Sequence, residues 1–167
     1  MILRVMIVED EDMIRNGLVK TLPWADMGCT VIGSAGDGKS GLEQIVERRP
    51  DVVITDIRMP EMDGFEMLER ALAVYRFHII IFTSYAEFDY AQKAISMHAY
   101  DYLLKPLDEK RLAELLARIR ETEEPQEQLE TPGSFSAEEL LKRLAYTDEY
   151  VETALRRIVA ASDTKLS

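Results

Sequence analysis

Apolar positions recur along this chain in a fixed order: a short β-rich run, then a stretch with helical spacing. Leu3 to Val8 is the first run, and the acidic cluster Glu9-Asp10-Glu11-Asp12 stops it. Ile14, Leu18 and Leu22 then recur every fourth residue, which predicts a helix closed by Pro23. Cys29 to Ile32 reads as a second strand ended by Gly33. Leu42, Ile45 and Val46 mark a second helix, closed before Pro50. Val52 to Thr55 is a third strand, ended at Asp56. Met59-Pro60-Glu61-Met62-Asp63-Gly64 has turn composition, and Phe65, Leu68 and Leu72 mark the third helix. His78 to Phe82 is a fourth strand. A fourth helix is predicted over 86–97, with Phe88, Ala91 and Ile95 on one face. Tyr102 to Leu104 is the fifth strand, and Leu112, Leu115, Leu116 and Ile119 give the fifth helix.

Strict alternation of strand and helix implies a parallel sheet with right-handed crossovers. The third and fourth strands are nearly continuous apolar runs, as strands covered on both faces should be. The expected fold class is α/β, a flavodoxin-like doubly wound sheet in the order 2-1-3-4-5. This domain is expected over 1–120. Residues 121–134 hold five glutamates, two prolines and a glycine, which is a linker composition. Residues 135–167 turn helical again. Leu140, Leu144, Thr147, Val151, Ala154 and Ile158 form one apolar stripe there, suited to dimerisation or to the start of an output region.

Charge narrows the function. With 20 Lys and Arg against 31 Asp and Glu, the net charge is −11. Such a chain is poorly suited to wrap a nucleic-acid backbone, and it carries no basic run. Contact with DNA is therefore expected only through an output domain outside these residues. The one cysteine, Cys29, cannot form an internal disulfide and is expected to be a small buried hydrophobe in a reducing compartment. The N-terminal apolar run is too short for a signal peptide, and no run reaches the ~20 apolar residues of a membrane span. The expectation is a soluble, cytoplasmic chain with no membrane contact.

In a doubly wound sheet, ligands bind beyond the carboxyl ends of the strands where the strand order reverses. Glu9 and Asp10 end the first strand, and Asp56 ends the third, its neighbour. Three converging carboxylates repel one another, and a divalent cation relieves that repulsion. An all-oxygen donor set suits Mg²⁺ (or Mn²⁺). Thr83-Ser84 end the fourth strand and Lys105-Pro106 the fifth. A hydroxyl and an ammonium facing a metal-bound carboxylate suit phosphoryl transfer. Asp56 would be the nucleophile, giving an acyl phosphate.

These residues resemble the response-regulator receiver family over 1 to about 120. The resemblance is carried by Glu9-Asp10, by Asp56-Ile57-Arg58-Met59-Pro60-Glu61-Met62-Asp63-Gly64, by Thr83-Ser84, and by Tyr100-Asp101-Tyr102-Leu103-Leu104-Lys105-Pro106. It implies that Asp56 is the phosphoacceptor. Asp10 and Asp56 look like metal ligands, with the Arg58 backbone carbonyl, and Glu9 acts through a metal-bound water. Lys105, Thr83 and Ser84 look like phosphate contacts, and Lys105-Pro106 is expected to be cis. Thr83 and Tyr102 look like a switch pair, Thr83 moving to the phosphate and Tyr102 turning inward. The implied donor is a sensor histidine kinase, and the chain catalyses only its own phosphorylation and dephosphorylation. The implied output face is the fourth helix, fifth strand and fifth helix, with Phe88, Tyr90, Met97, Tyr100 and Tyr102 clustered there. Phosphorylation is expected to favour a homodimer.

Two departures from the family pattern stand out: Glu9 where Asp is commonest, and His98 where Gly is usual and φ is expected to be positive. Leu22-Pro23-Trp24, Gly28 and the segment Tyr85 to Ala91 resemble the subclass joined to AraC-type helix-turn-helix domains. The chain is expected to be a fragment of a longer regulator. The other reading is that the tail is the whole output.

One motif points elsewhere. Gly33-Ser34-Ala35-Gly36-Asp37-Gly38-Lys39-Ser40 fits the phosphate-binding pattern GxxxxGK[ST], with Val52 to Asp56 as a matching metal strand. The alternative it raises is a small nucleotide-binding domain.

Overall fold

The computed structural model describes residues 1–123. Their elements are β1 (Leu3–Val8), α1 (Asp12–Thr21), β2 (Cys29–Ala35), α2 (Gly38–Arg48), β3 (Val52–Thr55), α3 (Gly64–Leu72), β4 (His78–Thr83), α4 (Phe88–Ser96), β5 (Asp101–Leu104) and α5 (Glu109–Glu123). The strands pair in parallel in the order β2-β1-β3-β4-β5, the order expected from the alternation.

Alternate strand residues feed two cores. Leu3, Val5, Ile7, Val52, Ile54, Ile80 and Phe82 pack with α1 and α5 through Leu18, Leu112 and Leu116. Met6, Val8, Val53, Ile79 and Ile81 pack on the other face with α2, α3 and α4 through Ile45, Leu68 and Ala91. Each such buried aliphatic side chain contributes about 1.5–3 kcal/mol. This double cover explains why β3 and β4 carry no alternation of apolar and polar residues. Among the described residues, no helix is long and apolar enough to cross a membrane.

Three expectations need correction. β2 does not end at Gly33 but continues to Ala35, after a register shift opposite Val5 and Met6. At Gly33, within the strand, the ends of the Gln44, Arg48 and Met6 side chains close over the place a Cβ would take, at 2.6 to 3.1 Å. α5 runs three residues past the expected boundary, to Glu123. The aromatic residues assigned to one output cluster lie on opposite faces of the sheet. Tyr90 and Met97 pack beside Tyr102, whereas Tyr100 belongs to the core under α1 and α5. The linker beyond Glu123 and the helix expected over 135–167 lie outside the described residues.

His98 has φ 57°, as its glycine-like position implies. Arg49 (φ 50°) and Glu61 (φ 67°) share that conformation without a sequence signal for it. Cys29 is buried, as expected, and burial pushes its thiol up to about 11.

Candidate functional site

Four strand ends meet above the sheet. The ladder continues one step past β1 and β3: the Asp56 N–H donates to the Val8 carbonyl at 3.0 Å, and the Glu9 N–H to the Ala35 carbonyl at 3.0 Å. These bonds set Glu9 and Asp56 side by side. Carboxylate oxygens of Glu9, Asp10 and Asp56 all lie within 4.8 Å of one another. Glu9 and Asp56 are buried, whereas Asp10 is partly open to solvent.

Lys105, beyond β5, enters this cluster. Its backbone N–H donates to the Thr83 carbonyl at 2.9 Å, tying the ends of β4 and β5 together. Its ammonium donates to Asp56 Oδ2 at 2.8 Å and to Glu9 Oε1 and Oε2 at 2.9 and 3.1 Å. Lys105-Pro106 is cis. The Ile57 N–H holds the other Asp56 oxygen, Oδ1, at 2.6 Å.

One ammonium cannot offset three carboxylates. Burial pushes the Glu9 carboxyl up to about 7, and the Asp56 charge adds to this against the contacts from Lys105 and the Glu11 N–H. Burial alone would lower the Lys105 pKa. Its hydrogen bonds to Asp56 and Glu9 outweigh that and hold the ammonium above its usual value. Ligand oxygens on opposite sides of an octahedral Mg²⁺ stand about 4.2 Å apart, so the carboxylate oxygens of Glu9, Asp10 and Asp56 are close enough together to share such a cation.

The other expected site residues are at hand in varying degree. Thr83 is fully buried, its hydroxyl accepting from the Tyr85 N–H at 3.3 Å. Ser84 is exposed at the end of β4. The Tyr102 ring is fully buried and its hydroxyl donates to the Tyr85 carbonyl. The Arg58 side chain turns away from the carboxylates. It donates to Tyr90 Oη at 2.8 Å and Glu87 Oε1 at 2.6 Å, and it lies 3.9 Å over the Tyr85 ring. Two participants had no signal in sequence spacing. Tyr85 touches both Thr83 and Tyr102, and Arg15 donates to the Glu9 carbonyl at 2.7 Å.

The glycine-rich segment is not a phosphate cradle. Gly33 to Ala35 belong to β2, and the Asp37 carboxylate accepts from the Ser40 N–H at 2.7 Å. That carboxylate occupies and charges the helix start where a phosphate would sit. Gly38 is required because a Cβ there would stand 2.3 Å from the Met62 carbonyl oxygen.

Residues 5–117 match the family described as the response regulator receiver domain. The chain is 35% identical over 167 residues to the transcriptional regulatory protein HptR of Staphylococcus aureus, an alignment covering 98% of this chain and 66% of that protein. It is 36% identical over 157 residues to an uncharacterized response regulatory protein of Staphylococcus epidermidis, covering 93% of this chain and 62% of that one. The chain thus spans just under two thirds of the length of these relatives. Among solved structures, the receiver domain of AraT, a response regulator from Geobacillus stearothermophilus, matches with TM-score 0.67 and 39% identity, covering 73% of this chain and 95% of that one. The chain with its carboxylate cluster at the ends of β1 and β3 belongs to the response regulator receiver domain family.

Proposed function

We propose that this chain is the phosphoryl-accepting part of a two-component transcriptional regulator, and that Asp56 takes the phosphoryl group from a sensor histidine kinase. The observation that carries this reading is the Lys105 ammonium, 2.8 Å from Asp56 Oδ2 inside a buried acidic cluster. An Asp56 oxygen attacks phosphorus, a phosphorus–oxygen bond forms, and the phosphorus–nitrogen bond of a phosphohistidine breaks. The leaving imidazole keeps the electron pair and takes a proton. The Ile57 N–H orients one Asp56 oxygen, leaving the other toward Lys105. Lys105 holds the transferring oxygens, with Thr83 and Ser84 as hydroxyl partners. Glu9, Asp10, Asp56 and the Arg58 carbonyl would hold Mg²⁺, which when bound supplies positive charge beside those oxygens.

A groove of about 620 Å³ opens beside Lys105 between α1 and the start of α5. Its wall includes Ile14, Leu18, Phe82 and Leu107, with Glu11 and Glu109 at the rim. An apolar trough with acidic edges suits a helix of the kinase that presents its histidine to Asp56. The output is regulation of transcription through a DNA-binding domain, with phosphorylation shifting the α4–β5–α5 face and favouring a dimer. Catalysis is confined to the chain's own phosphorylation and its reversal.

Incubation with Mg²⁺ and a small phosphodonor should add one acid-labile phosphoryl group by intact mass. Asp56→Asn should abolish it with the fold unchanged by circular dichroism. Full modification of Asp56→Asn would overturn the assignment. Sedimentation with beryllofluoride, a phosphoryl mimic, tests the dimer; unchanged mass and shape would remove it.

A further inference from the structure

The Glu9 N–H donates to Ala35 one step past the end of β1, and the Glu9 carbonyl accepts from a side chain of α1. Arg15, one turn into α1, reaches back to it. Nη1 donates to the Glu9 carbonyl at 2.7 Å, and Nη2 pairs with Asp12 Oδ1 at 2.6 Å. The Arg15 side chain is 19% exposed and Asp12 79%, so the guanidinium is sheltered although its anchor is at the surface. It also packs onto Gly36 of the β2–α2 connection, where a Cβ would stand 2.7 Å from Nη1. The Glu9 N–H is already held by Ala35. The peptide units on both sides of Glu9 are thus fixed, and the Glu9–Asp10 turn cannot rotate without breaking a charge-assisted bond.

We infer that Arg15 is a positioning residue that holds the Glu9–Asp10 turn in the arrangement selective for a small octahedral cation; this rests on the cation site proposed above. Two consequences follow from the geometry. The Glu9 carbonyl is committed to Arg15, so Glu9 offers a cation its carboxylate only. The turn is also kept stiff, which matters differently for different cations. Mg²⁺ demands near-ideal octahedral geometry, whereas Ca²⁺ accepts irregular, looser oxygen shells. A bound guanidinium behind a ligand-bearing turn therefore favours Mg²⁺ over Ca²⁺, in the way supporting hydrogen bonds tune other metal sites.

The experiment is a calorimetric titration of the full chain with Mg²⁺ and, separately, Ca²⁺, without phosphodonor. Arg15→Ala should weaken Mg²⁺ binding about tenfold or more, while Ca²⁺ binding changes by about twofold or less. Arg15→Lys keeps the charge but loses the two-pronged reach, and should recover only part of the Mg²⁺ affinity. Asp12→Ala, at an exposed position, frees one prong and should show an intermediate loss; it decides the matter if Arg15→Ala does not fold. Unchanged Mg²⁺ affinity in folded variants, or equal losses for both cations, would overturn the inference and leave the cation site standing. A wild-type chain that binds no Mg²⁺ would overturn both.

Discussion

The Lys105 ammonium joins Asp56 and Glu9, two buried carboxylates from different strands, at 2.8 and 2.9 Å. The three side chains are between 1% and 10% exposed, so solvent screens the contacts little. Removing the cation leaves two facing carboxylates in a poorly solvated space. Lys105→Met is expected to lower unfolding free energy at neutral pH by about 3 kcal/mol, measured by urea denaturation. Added Mg²⁺ should restore part of that loss, because it replaces the missing positive charge. A midpoint equal to that of the wild type would show that the bridge carries no net stabilisation.

Much of this arrangement is legible in the sequence. β1, β3, β4 and β5 are bounded by charged or hydroxyl residues, so each apolar run ends where a site residue begins. Strand order then brings Glu9, Asp10, Asp56, Thr83 and Lys105 to one pole. Other features had no local signature. Arg15 looks like any helix-surface cation, and its role depends on where the Glu9 carbonyl points. The Gly33–Ser40 segment satisfies a phosphate-binding pattern, yet its glycines answer to Gln44, Arg48, Arg15 and the Met62 backbone. A pattern of glycines reports close approach, but not what approaches.

Glu9 gives the cation-free chain a pH-dependent stability. Its carboxyl is raised from about 4.5 to about 7 on folding, chiefly by burial. The native state therefore holds this proton more tightly than the unfolded state does. Its stabilising effect is full below about 4.5 and is lost as pH rises through about 7. The melting temperature should fall between pH 5 and pH 8 relative to Glu9→Gln, which lacks the titration. Saturating Mg²⁺ should flatten the difference, since it binds the ionised form. Parallel curves for the two proteins without Mg²⁺ would rule out this role for Glu9.

Two glycines should respond to alanine with opposite signs. At Gly64, a Cβ would stand 2.1 Å from the Asp56 carbonyl oxygen and 3.2 Å from Ile57 Cα. Both are backbone atoms, so the loop carrying Asp56 must shift. Gly64→Ala is expected to cost about 3 kcal/mol and to slow phosphorylation by a small phosphodonor. Gly17, inside α1, has nothing within 4 Å of a Cβ. Gly17→Ala should stabilise by about 0.5–1 kcal/mol through the helix backbone. Paired urea denaturation curves would test both, and a tolerated Gly64→Ala would refute the close approach.

Tyr85 stands between Thr83 and Tyr102 and hydrogen-bonds to both. The Tyr85 N–H donates to the Thr83 hydroxyl at 3.3 Å, and its carbonyl accepts from the Tyr102 hydroxyl. The Tyr102 ring is already fully buried, packed among residues of α3 and α4. Movement of Thr83 toward a phosphoryl group would draw on the Tyr85 peptide and so on the bond that holds Tyr102. Tyr102→Phe keeps the ring and removes only the donor, and should cost about 1 kcal/mol. Thr83→Ala should cost a similar amount beyond its lost methyl packing. If Tyr85 transmits between them, the double variant should lose less than the sum of the two, by about 0.5 kcal/mol or more. A double-mutant cycle by urea denaturation measures that difference. Strict additivity would mean that the two residues act independently, and any switch linking them would need another route.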